Sequence, residues 1–228
     1  MFNRSYNLAT MNKNTASLAP LVKVTIASVF STLFGITLLL NASPALAHHP
    51  NGSQIPSNFI EGFLSGIGHP VIGIDHLVFV IAIGLLAALS NRLGIIIPAV
   101  FIIATAIGTG IHLQSVDLPA PELIISASVL VMGILLAKAK QTNLALVTIL
   151  SAIAGIFHGY AYGESIVGAQ ATALGAYLLG FCGIQLAISA IAFYLGQLAL
   201  NKVNLALRFA GFSIAGVGFA FISSAILG

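Results

Sequence analysis

The sequence predicts an all-α polytopic membrane protein, a bundle of about six transmembrane helices, and three observations carry that prediction. Of its 228 residues 58% are hydrophobic and only 6% are charged, where soluble domains carry about a quarter charged residues. The mean hydropathy is +1.07. The apolar residues fall in runs close to the ~20 residues that a helix needs to cross the hydrocarbon core. A lipid bilayer is therefore the first partner the chain implies.

Residues 1–47 read as an export signal. A polar, basic stretch carrying Arg4, Lys13 and Lys23 is followed by the apolar run from Val24 to Leu40 and then by Ala-Ser-Pro-Ala-Leu-Ala, with Ala45 and Ala47 placed for A-x-A cleavage. The mature chain would begin at His48 and form a single helix-bundle domain over 48–228; the alternative is an uncleaved anchor. Next, 57–68 reads as a short amphipathic helix capped by Ser57 or Asn58. Six apolar spans follow near 70–90, 94–113, 121–138, 144–160, 170–198 and 204–227. The fifth exceeds a straight crossing, so it must tilt, kink or project. Small residues four apart, at Gly62/Gly66, Ala104/Gly108, Gly155/Gly159 and Ala176/Gly180, allow close helix approach within the bundle and would also serve contacts in a homo-oligomer.

Charge gives these spans a direction. Three of the eight basic residues lie in the signal, so the mature chain is electrically neutral. No basic face remains to neutralise several phosphates, which excludes a nucleic-acid partner. With the mature N-terminus outside, alternation sends Arg92, Lys138, Lys140, Lys202 and Arg208 to the inner side, as insertion favours. Glu61, Asp75, Asp117, Glu122 and Glu164 then fall at outer ends or loops, and so do all six histidines. This points to a bacterial inner membrane with a cation-attracting outer face.

Imidazoles with carboxylates suit borderline divalent ions such as nickel, cobalt, zinc and copper. The single Cys182 lies in an apolar run, which leaves it a packing role and rules out a thiolate cluster or disulfide framework. The most informative motif is His69-Pro-Val-Ile-Gly-Ile-Asp75-His76. Pro70 suits a first helical turn with His69 at its cap, and His69 and His76, seven apart, share a face if the helix runs through. Asp75 would ligate beside them or orient an imidazole; the alternative is that it and His76 only pair with each other or with backbone. The second motif, Phe157-His158-Gly-Tyr160-Ala-Tyr162-Gly-Glu164-Ser165, closes the fourth span, with Gly155 and Gly159 bracketing His158 and Glu164 in the loop beyond, as a ligand or a solvated acid. His112 ends the second span as a ligand or an interfacial residue. His48, with a free α-amine after cleavage, and His49 would collect metal at the N-terminus, unless they are an incidental pair at a chain end. The candidate metal residues are thus His69, Asp75, His76, His158, Glu164, His48, His49 and His112.

At these two motifs the chain resembles the HupE/UreJ family of hydrogenase- and urease-associated membrane proteins, regarded as nickel or cobalt permeases. The likeness covers the signal, HPxxGxDH at the first span and an FHGxAxGxE-like motif in the fourth. It implies that His69, Asp75 and His76 belong to the metal path with His158 and Glu164 as partners. Where many relatives carry a second histidine, this chain has Tyr162, a poor nickel ligand, which leaves room for cobalt or another divalent ion. The resemblance implies a secondary transporter and not an enzyme. No nucleotide motif is present, and the ion is cargo rather than a prosthetic group. Two other readings stay open: a non-translocating metal-binding or delivery protein, and an intramembrane metallohydrolase with Glu164 as base. The inner half of the predicted bundle has no acid or histidine, so an inward path must use hydroxyls such as Thr148, Ser151 and Ser189, backbone carbonyls and water.

Overall fold

The structure is a computed structural model that describes residues 55–90, 93–200 and 204–227. The segment expected to be an export signal, with its expected cleavage site, and His48, His49, Arg92 and Lys202 lie outside the described residues. The described residues form seven α-helices: α1 (Phe59–Ile72), α2 (Ile74–Leu89), α3 (Ile96–Leu113), α4 (Pro121–Ala137), α5 (Leu144–Glu164), α6 (Ala171–Leu200) and α7 (Asn204–Leu227). There is no strand among the described residues. Helices α3, α5, α6 and α7 are long and apolar enough to cross a membrane, and α1 with α2 would make a fifth span if the bent pair is one crossing. At 17 residues, α4 is apolar but shorter.

Two of the expected boundaries are corrected. The span expected over 70–90 does not begin at Pro70: α1 runs through Pro70 to Ile72, the chain breaks at Gly73, and α2 leaves at 79° to α1. His69 is therefore in the last turn of one helix and His76 in the first turn of the next. Proline has no amide hydrogen for the carbonyl four residues back and its ring crowds that turn, so a helix end within three residues of it is physically reasonable. The second correction concerns α5, which continues past Gly159 to Glu164. Glu164 is its last residue and not part of a loop.

The start of α1 follows its sequence signals. The Asn58 side chain accepts the Glu61 amide at 3.0 Å, and the Glu61 carboxylate accepts the Ser57 amide at 2.9 Å, a reciprocal cap that satisfies donors at the helix start.

Glycines set the helix pairing. Gly155, Gly159 and Gly163 of α5 lie against the backbones of Phe101, Thr105 and Thr109 of α3 in turn, with no room for a Cβ at any of them. Contacts ascend together along both helices, so α3 and α5 run in the same direction. Gly62 and Gly66 of α1 meet the backbones of Ala173 and Tyr177, and Gly84 of α2 meets that of Ser189, so α6 carries α1 and α2 in turn, both in its own direction. Gly133, Gly211 and Gly218 join α4 to α7 in opposite directions. Small-residue pairs read from the sequence are thus occupied within the chain.

The packing is that of a chain built for lipid. Large apolar side chains such as Ile103, Leu179, Ile191 and Phe219 are exposed, while Thr105, Ser151, His158, Gln185 and Ser189 are fully or almost fully buried. Without water outside, apolar burial gives no drive to helix association, and close backbone approach with internal polar contacts supplies it.

Candidate functional site: three histidines at a broken helix

The break at Gly73 positions the site. A side chain at residue 73 would run into the His76 ring and crowd the Asp75 carboxylate and the His69 carbonyl. Glycine therefore lets the chain turn while both histidines stay close. The ring centroids of His69 and His76 are 5.7 Å apart, and those of His76 and His158, on α5, are 4.9 Å apart. Tyr162, one turn beyond His158, stands edge-on to His69 at 4.9 Å and to His76 at 4.7 Å. Phe79 and Phe101 close the far side against His158. All three histidines are buried, His158 completely.

Hydrogen bonds assign the ring protons. Ser128 Oγ lies 2.6 Å from the Ile125 carbonyl, which takes its only proton. The 3.1 Å contact between Ser128 Oγ and His158 Nε2 is then donated by the imidazole. That leaves His158 Nδ1 as the lone-pair nitrogen, 2.7 Å from His76 Nδ1, so His76 supplies the proton between them. At His69, Nδ1 faces Ser165 Oγ at 3.0 Å and Tyr177 Oη at 3.1 Å. Tyr177 gives its proton to the Tyr162 carbonyl at 2.8 Å, and Ser165 reaches the same carbonyl at 3.1 Å. With both hydroxyl protons directed to that carbonyl, the two oxygens are left to accept a proton from His69 Nδ1.

Serine and tyrosine hydroxyls thus fix tautomers as outer partners of metal-bound histidines do. Ser128 and Tyr177 escape sequence reasoning, since a lone serine on an apolar helix and an aromatic in a long span give no signal. Ser165 lies inside the second motif beside Glu164, and that adjacency is the one available clue.

Expected residues are distributed unevenly. His69, His76 and His158 adjoin one another. Asp75 is half-buried in the first turn of α2, where its Oδ1 accepts the His76 amide at 2.8 Å; a carboxylate at that end is favoured by the helix dipole. Glu164 is exposed at the end of α5. His112 stacks edge-on to Tyr160 at 4.4 Å, and its buried Nδ1 has no hydrogen-bond partner among the described residues. Among the described residues no three or more His, Cys, Asp or Glu side chains are gathered as ligands around one centre.

Chemically, the close pair is in a proton-bridged state. Two nitrogens on one transition-metal ion, each about 2.1 Å from it, stand about 3.0–3.4 Å apart, against 2.7 Å between the Nδ1 atoms of His76 and His158. An ion entering there must separate the rings and release the proton they share.

A family model described as HupE / UreJ protein matches residues 36–221. Protein HupE of Rhizobium leguminosarum bv. viciae is 28% identical over 188 residues, covering 82% of this chain and 95% of that protein. No solved structure matches.

Proposed function

The chain belongs to the HupE/UreJ family, and on that premise we propose that it is a secondary transporter for a divalent transition-metal ion, nickel or cobalt, in the bacterial inner membrane with its mature N-terminus outside. One observation supports this above the others: three buried imidazoles lie in a row where a helix is broken, and among the described residues no other histidine or acidic side chain is buried in the bundle. Ionisable groups at membrane depth are costly and mark ion paths, and secondary transporters build their sites at discontinuous helices. In this reading His69, His76 and His158 are the nitrogen ligands. Asp75 lowers the cost of a cation near the positive end of α2, and Glu164, His112, His48 and His49 collect ions on the way in.

The membrane potential supplies about 4.6 kcal/mol per 100 mV for a divalent ion, twice the single-charge value. No nucleotide or prosthetic group is needed in this scheme, and no enzymatic step is assigned. A second reading, a metal binder or delivery protein that does not translocate, draws on the apolar remainder of the bundle, where Ser151 and Thr148 of α5 are polar but no histidine or acid is present.

Proteoliposomes holding the full chain separate the two. A transporter accumulates radioactive nickel or cobalt in the lumen in proportion to an imposed inside-negative potential. Saturation at one ion per chain with no response to potential would replace transport by binding.

A further inference from the structure

Lys138, Lys140 and Arg208 are exposed, and the packing of α4 on α7 gathers them at one end of the bundle. The register of that packing is regular: Gly218 meets Leu130, Gly133 meets Ala215 and Gly211 meets Ala137. As α4 ascends α7 descends, so one further turn sets Arg208 beside the segment that follows the end of α4. In that segment the Ala139 amide donates to the Leu136 carbonyl at 2.9 Å, and Ala139 packs against the core cluster that includes Leu207, the neighbour of Arg208. The lysines on either side of Ala139 stay exposed. No carboxylate is at hand to balance the three charges. Glu61 and Asp75 lie in the first turns of α1 and α2, Asp117 in the connection from α3 to α4, and Glu164 at the end of α5. Glu122 is at the far end of α4, about 24 Å from Lys138 along the axis. Like charges held together repel. Insertion asks only that basic residues stay on one side of the membrane, not that helix register set them against one another.

Independently of the metal reading, we propose that Lys138, Lys140 and Arg208 bind the phosphate of an anionic phospholipid and that this lipid clasps the ends of α4 and α7. Three properties of the place fit such a ligand. A guanidinium presents paired donors to phosphate oxygens, and the ammonium groups add charge on flexible stems. The positive end of the α7 dipole favours an anion there too, since Arg208 follows the first turn of that helix. Depth is the third property. At 17 residues α4 is about 25 Å long, short of a ~30 Å hydrocarbon core, so the cations that follow it stand no farther out than the lipid phosphates. Basic groups between helix ends at this level attract acidic headgroups. Three cations serve one phosphate, against the several that a nucleic acid presents.

The probes are dioleoyl phosphatidylglycerol, dioleoyl phosphatidylcholine and inorganic phosphate, each added to the delipidated full chain in detergent, with retained adducts counted by native mass spectrometry. Wild-type protein is expected to retain one phosphatidylglycerol at least fivefold more often than phosphatidylcholine. The double variant Lys140→Gln with Arg208→Gln should lose that preference entirely, with phosphatidylcholine retention and helical content unchanged. Each single variant should show at least a threefold fall, which keeps the test decisive if the double variant does not fold. Glu122→Gln raises the net charge by one at the other end of α4 and should leave retention as it is; a gain there would assign the preference to overall charge and overturn the site. Equal retention of the two lipids by wild type, or full preference for phosphatidylglycerol in the Gln variants, also overturns it. Retention of inorganic phosphate without phosphatidylglycerol would assign the patch to a free anion and overturn the lipid.

Discussion

At the residue scale the site is a chain of three imidazoles whose protons are assigned by hydroxyls. If His76 and His158 are ligands, His76→Ala and His158→Ala should abolish nickel or cobalt uptake by proteoliposomes while the protein still inserts. Asp75→Ala should do the same, and Glu122→Ala, in the first turn of α4, should leave uptake within twofold of wild type. Ser128→Ala removes the acceptor for His158 Nε2–H. The ring is then free to take either tautomer, and metal affinity should fall about tenfold, as measured by isothermal titration. The histidines were legible because imidazole is rare in an apolar chain and each one stands out. What could not be read was which of them would meet: pairing His76 with His158 depends on how α2 crosses α5, and no spacing along the chain encodes that crossing. Ser128 and Tyr177 were invisible for a related reason, since a hydroxyl on a membrane helix more often satisfies itself on its own backbone, as Ser126 does on Glu122.

At the element scale, the seven helices coincide closely with the apolar runs, because in lipid every backbone amide must be satisfied within its own segment. The two misread boundaries share a cause. Pro70 suggested a helix start and the glycines after His158 suggested a loop, yet both lie within helices whose neighbours require them. Gly159 admits the Thr105 backbone and Gly163 admits the His112 side chain, so these glycines serve close approach and not chain reversal. Gly73→Ala should push the His76 ring from its place and cost more than tenfold in metal affinity, with a smaller effect on melting. At the end of α4, Ala139 has φ 45°, the left-handed region, just after the C-cap Lys138. Glycine is preferred there, and relief of the alanine strain is worth about 0.5–1 kcal/mol after glycine's entropic cost. Ala139→Gly should therefore raise the melting temperature in detergent by a few degrees, read by differential scanning fluorimetry, without altering transport.

At the scale of the whole molecule, the parallel pairing of α3 with α5 and the antiparallel pairing of α4 with α7 divide the bundle into two chemically distinct ends. His112, Glu122 and Glu164 belong to one, and Lys138, Lys140 and Arg208 to the other. Orientation in the membrane can be measured directly. With Cys182 replaced by serine, single cysteines at positions 164 and 140 should react with a membrane-impermeant maleimide from opposite sides, position 164 from outside in intact cells. Equal labelling of both from one side would reject the alternation read from the loops. The 30 residues of α6 span about 45 Å, well beyond a ~30 Å hydrocarbon core, and both arms of the Gly73 corner rest on this one rod. The corner cannot open or close by itself. Any change in the separation of His69 from His76 obliges an arm to slide along α6 or the rod to flex, so a tilt imposed by a thicker or thinner bilayer would be transmitted to the spacing of the two imidazoles.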